Sequence, residues 1–70
     1  MEELKKIRIK NRYSFDYMAQ ELNISKTYYW QLEHTQRRIS YEMAFKIASI
    51  FKKRPDEIFY QEYKKKIEKE

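Results

Sequence analysis

"SFDYMAQELNISKTYYWQLEH", residues 14–34, decides how this chain is read. It carries two apolar periodicities separated by three residues. Phe15, Met18, Ala19 and Leu22 recur at i, i+3, i+4 and i+7, the spacing of one helix face. Ser14 stands just before them, where a short hydroxyl caps a helix, and Asp16 suits the positive end of the helix dipole. Asn23 follows Leu22. Asparagine tolerates left-handed backbone, so it can end a helix where glycine often does. Ser25 then caps a second helix over residues 26–34, with Tyr29, Leu32 and Glu33 on one face.

Three consecutive rings, Tyr28, Tyr29 and Trp30, cannot share one buried face, because neighbouring side chains on a helix point about 100° apart. With Tyr29 set toward the core, Thr27, Gln31 and His34 turn away from it. Trp30 falls on one shoulder of that outward face and Tyr28 on the other, beside Leu32. Tyr28 reads either as half core or as part of a binding surface. Trp30 packs either on a ligand or on its own protein.

The same reasoning extends outward. Leu4, Ile7 and Arg8 fall at helical spacing, in a helix over about residues 2–11. Residues 35–39, TQRRI, form a polar joint. Ser40 caps a fourth helix with an apolar stripe of Tyr41, Ala44, Ile47, Ala48 and Phe51. Lys52–Arg54 is a basic turn. Pro55 suits a first helical turn and is followed by Asp56 and Glu57. Ile58 and Phe59 should close the core. The expected fold is all-α: one domain over residues 1–59, then a charged helical extension or tail over 60–70. Glycine is absent, which argues against tight hairpins.

Composition narrows the function. The chain has 70 residues, no cysteine and one histidine, His34, so thiolate metal sites and a metal cluster are not expected. No stretch approaches the roughly 18 apolar residues of a membrane span, and the first residues lack a signal-peptide core. The expected location is cytoplasmic. No carboxylate pair, nucleophile–base set or phosphate-cradling loop suggests an enzyme, and no cofactor is implied. The net charge is +5. Residues 23–54 carry seven basic and two acidic groups, so the whole excess lies in the middle third. Basic charge concentrated in this way suits a polyanion such as nucleic acid.

Two short helices joined by Asn23-Ile24-Ser25 form a helix-turn-helix. Ala19 is small enough to let them cross closely, and Ile24 is an apolar plug in the turn. Here the chain resembles the Cro/CI-type (Xre) helix-turn-helix regulators of phages, mobile elements and bacteria, which share a compact five-helix lambda-repressor-like DNA-binding domain. The resemblance covers about residues 4–59. It rests on Leu4…Arg8, Ser14…Met18-Ala19…Leu22-Asn23-Ile24-Ser25, Tyr29…Leu32-Glu33, Ile47-Ala48…Phe51 and Pro55-Asp56-Glu57-Ile58-Phe59.

The resemblance implies a role for each matched position. Arg8 and Glu33 match a largely buried salt bridge between the first and third helices. Lys26, Thr27 and Gln31 match positions that face bases in the major groove. Gln31 would read adenine with its amide or stay solvated, and Lys26 would take a guanine or a phosphate. Ser25 and His34 match positions near phosphates. Arg37 and Arg38 lie in the joint after the recognition helix, where backbone contacts are common. Tyr28 and Trp30 complete the candidate surface, with a thymine methyl or sugar edge as the target of Trp30.

Three residues depart from the family pattern. Phe15 stands where a glutamine commonly touches the DNA backbone, and its spacing turns it inward. Thr35 stands where glycine usually follows the recognition helix. Lys53 replaces an apolar residue. The expected function is a sequence-specific regulator of double-stranded DNA, a repressor acting as a homodimer on half-sites roughly 34 Å apart. Ile50, Phe59, Tyr60 and Tyr63 are the candidate dimer residues, unless they simply finish the core. The alternative is a protein-interaction module, antitoxin-like and of the same fold. A membrane-surface role for the tail is opposed by Glu62, Glu68 and Glu70.

Overall fold

The computed structural model describes residues 2–34 and 39–68; beyond residue 60 only the side chain of Lys64 is described. Five helices follow in order: α1 (Glu2–Lys10), α2 (Phe15–Leu22), α3 (Lys26–His34), α4 (Tyr41–Ile50) and α5 (Pro55–Glu68). Thr35, Arg37 and Arg38 lie outside the described residues.

The helix starts follow from hydroxyl and carboxylate caps. Ser14, Ser25 and Ser40 each accept a hydrogen bond at Oγ from the backbone N–H three residues on, at 3.0, 3.0 and 3.1 Å. Each satisfies one of the amides that a helix leaves without a partner at its start. At α5 the bond runs the other way. Glu57 Oε2 accepts from the Arg54 amide at 2.6 Å, the return half of a capping box around Pro55.

The helix ends show what a chain without glycine does instead. Arg12, Asn23 and Lys52 all adopt positive φ, near 59°, 56° and 56°. Each follows a helix, and each is framed by two bonds. Tyr13 N–H reaches Arg8 O, Ile24 N–H reaches Ala19 O, and Lys53 N–H reaches Ala48 O, at 3.0–3.1 Å. The amides of Arg12, Asn23 and Lys52 reach back three residues in the same turns. This is the Schellman arrangement, and it leaves the next residue positioned to cover the helix end. Ile24 does so, half-buried against the core. Lys53 is exposed and leaves the end of α4 uncovered.

The helices close into a ring. α1 packs on α3, α3 on α2, α2 on α4, α4 on α5, and α5 returns to α1. The enclosed core is Leu4, Met18, Ala19, Leu22, Tyr29, Leu32, Ala44, Ile47, Ala48, Ile58 and Phe59. Tyr13 pins the loop between α1 and α2, with its ring 4.4 Å from Tyr17 and 5.7 Å from Phe51.

Two expectations need correction. Tyr41 does not join the stripe of α4: it is 71% exposed, because the first turn of α4 overhangs the core and burial begins at Ala44. Phe59, a dimer candidate, is 2% exposed inside the single chain, so it has no surface left for a second copy. Ile50 is half-buried and Tyr60 exposed, while the side chain of Tyr63 is outside the described set. The expected boundary at residue 59 falls inside α5, which runs unbroken to Glu68.

Candidate nucleic-acid interface

α2 and α3 cross in a helix-turn-helix whose turn is Asn23-Ile24-Ser25. The inner face of α3 is anchored by Tyr29, Leu32 and Glu33, all buried. Thr27, Trp30 and His34 are exposed on the opposite side. Lys26 and Ser25 are exposed at its start, while Gln31 and Tyr28 are half-buried on its flanks.

Arg8 fixes α3 from below. Its Nε and Nη2 donate to the two carboxylate oxygens of Glu33, at 2.5 and 3.2 Å. Its Nη1 donates to Tyr13 O at 2.9 Å. The guanidinium also lies over the Phe15 ring, 4.3 Å from its centroid. One side chain of α1 therefore ties together the α1–α2 loop, the start of α2 and the end of α3. The bidentate geometry is what makes such a buried pair tolerable, since each ion has lost its water.

Phe15 accordingly turns inward. It packs between Arg8, Tyr29 and His34, with ring centroids 6.0 Å from Tyr29 and 6.1 Å from His34. A side chain held there is not available to a DNA backbone at the start of α2.

Trp30 is 45% exposed, and one of its faces is already occupied. The His34 imidazole stacks on it at 4.3 Å and 8° between planes. Nδ1 of His34 also bonds the Trp30 carbonyl at 2.9 Å. The i,i+4 spacing of the two residues was visible in the sequence and could have suggested this contact. Lys26 and Asp16, 3.7 Å apart, join the first turns of α3 and α2 across two helices, a pairing that no sequence spacing announces. Both partners are exposed, so the pair adds little stability. It does place a carboxylate beside a lysine expected to face DNA.

The Tyr29 hydroxyl is buried without a hydrogen bond among the described residues. Burial, reinforced by the nearby Glu33 carboxylate, pushes its pKa upward, so the phenol stays protonated. Its role is apolar packing under α3.

Among the described residues no helix is long and apolar enough to cross a membrane. No curated protein and no solved structure matches the chain. The profile of the helix-turn-helix family, of the Cro/CI (Xre) type, matches residues 4–58. That span begins at the buried Leu4, takes in the ring of helices, and ends at Ile58 in the core. On that match and on this geometry, the chain belongs to the Cro/CI-type helix-turn-helix family of DNA-binding regulators.

Proposed function

We propose that this protein is a sequence-specific repressor of transcription that acts in the cytoplasm as a homodimer. The observation that carries the reading is the division of α3: its inner face is locked by Tyr29, Leu32 and the Glu33–Arg8 pair, and its outer face is left to solvent. A rigid helix presenting polar side chains at its start suits the major groove. In this reading Lys26, Thr27 and Gln31 meet bases, with the Gln31 amide matched to an adenine edge. Ser25, His34, Arg37 and Arg38 meet the backbone. Tyr60, with the edge of Ile50, is the dimer surface.

Selection of bound duplexes from a random pool tests this reading. The expected product is a two-fold symmetric motif whose half-sites repeat at one helical turn, bound with a steep salt dependence. A pool that returns no motif, with binding indifferent to salt, would sink it. A reporter whose promoter overlaps the selected site should fall in output, and a rise would replace repression with activation.

A second reading is favoured by one observation. Tyr41 and Phe45 stand exposed one turn apart on α4, and Phe45 borders a shallow groove with Tyr17 and Ile50. Such a face suits a protein partner, as in an antitoxin-like module that also binds DNA. A stoichiometric partner whose capture fails with Phe45→Lys, while duplex binding persists, would establish it.

A further inference from the structure

The turns after α1 and α4 carry cations that no carboxylate holds. Lys6, Arg8, Lys26 and Lys46 each lie within salt-bridge distance of an acidic side chain. Lys10, Arg12, Lys52, Lys53 and Arg54 do not. Their side chains are exposed and have no ion-pair partner among the described residues.

The fold brings the two turns together. The rings of Tyr13 and Phe51 stack with centroids 5.7 Å apart. Arg12 precedes Tyr13 and Lys52 follows Phe51, so each cation starts one peptide step, about 3.8 Å between Cα atoms, from a stacked residue. Both adopt positive φ, and the backbone bonds from Tyr13 to Arg8 and from Lys53 to Ala48 fix the two turns. The acids next in sequence, Asp56 and Glu57, open α5, and Glu57 is engaged on the Arg54 amide. One cation at a helix end offsets the helix dipole. The set on these adjoining turns exceeds that need, and its members repel one another until an anion lies across them.

This patch is not part of the recognition surface. Tyr13 O accepts from Arg8, whose other partner is Glu33 on the inner side of α3. Among the described residues α3 packs on α1 and α2, and on neither α4 nor α5. The Arg8–Glu33 layer therefore stands between the two turns and the exposed Thr27, Trp30 and His34.

The chemistry of the patch selects its anion. Tyr13 and Phe51 are half-buried against each other, which withholds them as anchors for a peptide side chain. What remains is a spread of exposed lysine and arginine heads. That suits an anion whose charges repeat at short intervals and are all alike, the phosphate backbone of a nucleic acid.

We infer that the turns at Arg12 and Lys52–Arg54 form a second nucleic-acid face, which holds the phosphates of a second duplex while α3 engages the first. The inference rests on the duplex-binding reading above for the first duplex and adds the second. One molecule then bridges two segments of DNA.

The test loads the full chain on an immobilised mixed-sequence duplex of roughly 30 base pairs, then adds a fluorescent duplex of the same length, because phosphate contacts need no operator. The same is done with a triple variant, Lys52→Gln with Lys53→Gln and Arg54→Gln, whose fold is checked by circular dichroism. The unaltered chain should retain the fluorescent duplex, and retention should fall steeply as salt rises. The triple variant should still load on the first duplex but retain the second at least about tenfold less at low salt. Arg12→Gln should show a smaller loss of the same kind. An unaltered chain that loads but retains no second duplex overturns the inference and leaves duplex binding intact. Equal retention by the triple variant also overturns it, since the bridge then runs through two copies of α3. Retention of a fluorescent poly-glutamate peptide in place of the duplex would replace nucleic acid by an acidic protein. A chain that loads on no duplex at all overturns the underlying reading and this inference with it.

Discussion

Arg8 holds Glu33 through two nitrogens, 25 residues away in sequence, while its guanidinium face rests on Phe15. The pair lies on the inner side of α3, so the helix is oriented by a charge turned away from its exposed face. Glu33→Gln leaves the Arg8 charge buried without its partner. The expected loss is about 3–5 kcal/mol of unfolding free energy. For a domain of this size that is much of the total, and urea denaturation followed by circular dichroism would show it. Replacing Arg8 and Glu33 together by Met should recover most of the stability. A double variant as unstable as the single one would contradict the account.

Arg12 and Lys52 spend their positive φ without glycine's freedom. Left-handed backbone costs an ordinary residue about 1 kcal/mol, of which part returns through the greater entropy of an unfolded glycine. Arg12→Gly and Lys52→Gly should each stabilise by about 0.5 kcal/mol, additively, because the two helix ends are separate sites. Asn23→Gly should change little, since asparagine already tolerates this region. Thermal melts would decide, and a lower midpoint for Arg12→Gly or Lys52→Gly would refute it.

Asp16 draws Lys26 toward α2 and sets a negative charge beside the proposed interface. Asp16→Asn frees the lysine and removes the repulsion. Duplex affinity should rise by about three- to tenfold at low salt, with the gain shrinking as salt screens it. Equal affinity in anisotropy titrations would place Asp16 away from DNA.

Tyr29 buries a hydroxyl that forms no bond among the described residues. Tyr29→Phe should therefore lose less than about 1 kcal/mol, and gain if the desolvation outweighs the rest. The raised pKa adds a pH dependence. A phenol held neutral in the fold contributes fully below its unfolded pKa of about 10 and loses that contribution as pH rises above it. Stability of the unaltered chain should fall above that pH, and Tyr29→Phe should fall less steeply.

Much of the fold could be read along the chain because its signals are local. A serine before each apolar run marks the starts of α2, α3 and α4, and Asn23 marks a left-handed end. The tighter ends at Arg12 and Lys52 escaped notice because neither residue type advertises that conformation; the backbone bonds across each turn impose it. Periodicity also says which face of a helix is inward, but not how far along its length the neighbours reach. That is why Tyr41 seemed to belong to the core. Phe59 admits two readings from sequence, core or dimer surface, because a ring near the end of an apolar run looks available until the elements that cover it are known; its burial decides for the core. At the site, the exposure of Thr27 and His34 follows from the pitch of α3, whereas Gln31, expected to turn outward with them, is half-buried on its flank. The stack of His34 on Trp30 and the capture of Lys26 by Asp16 depend on rotamers, which the sequence does not specify.

The ring of helices closes through α5 meeting α1, and α1 in turn holds α3. As the chain leaves the ribosome, α2 and α3 emerge early but lack the last member of the circuit. Ile58 and Phe59 must appear before α1 has its second support. In a nascent chain α3 thus stays loosely held until the whole ring of helices, α5 included, has emerged.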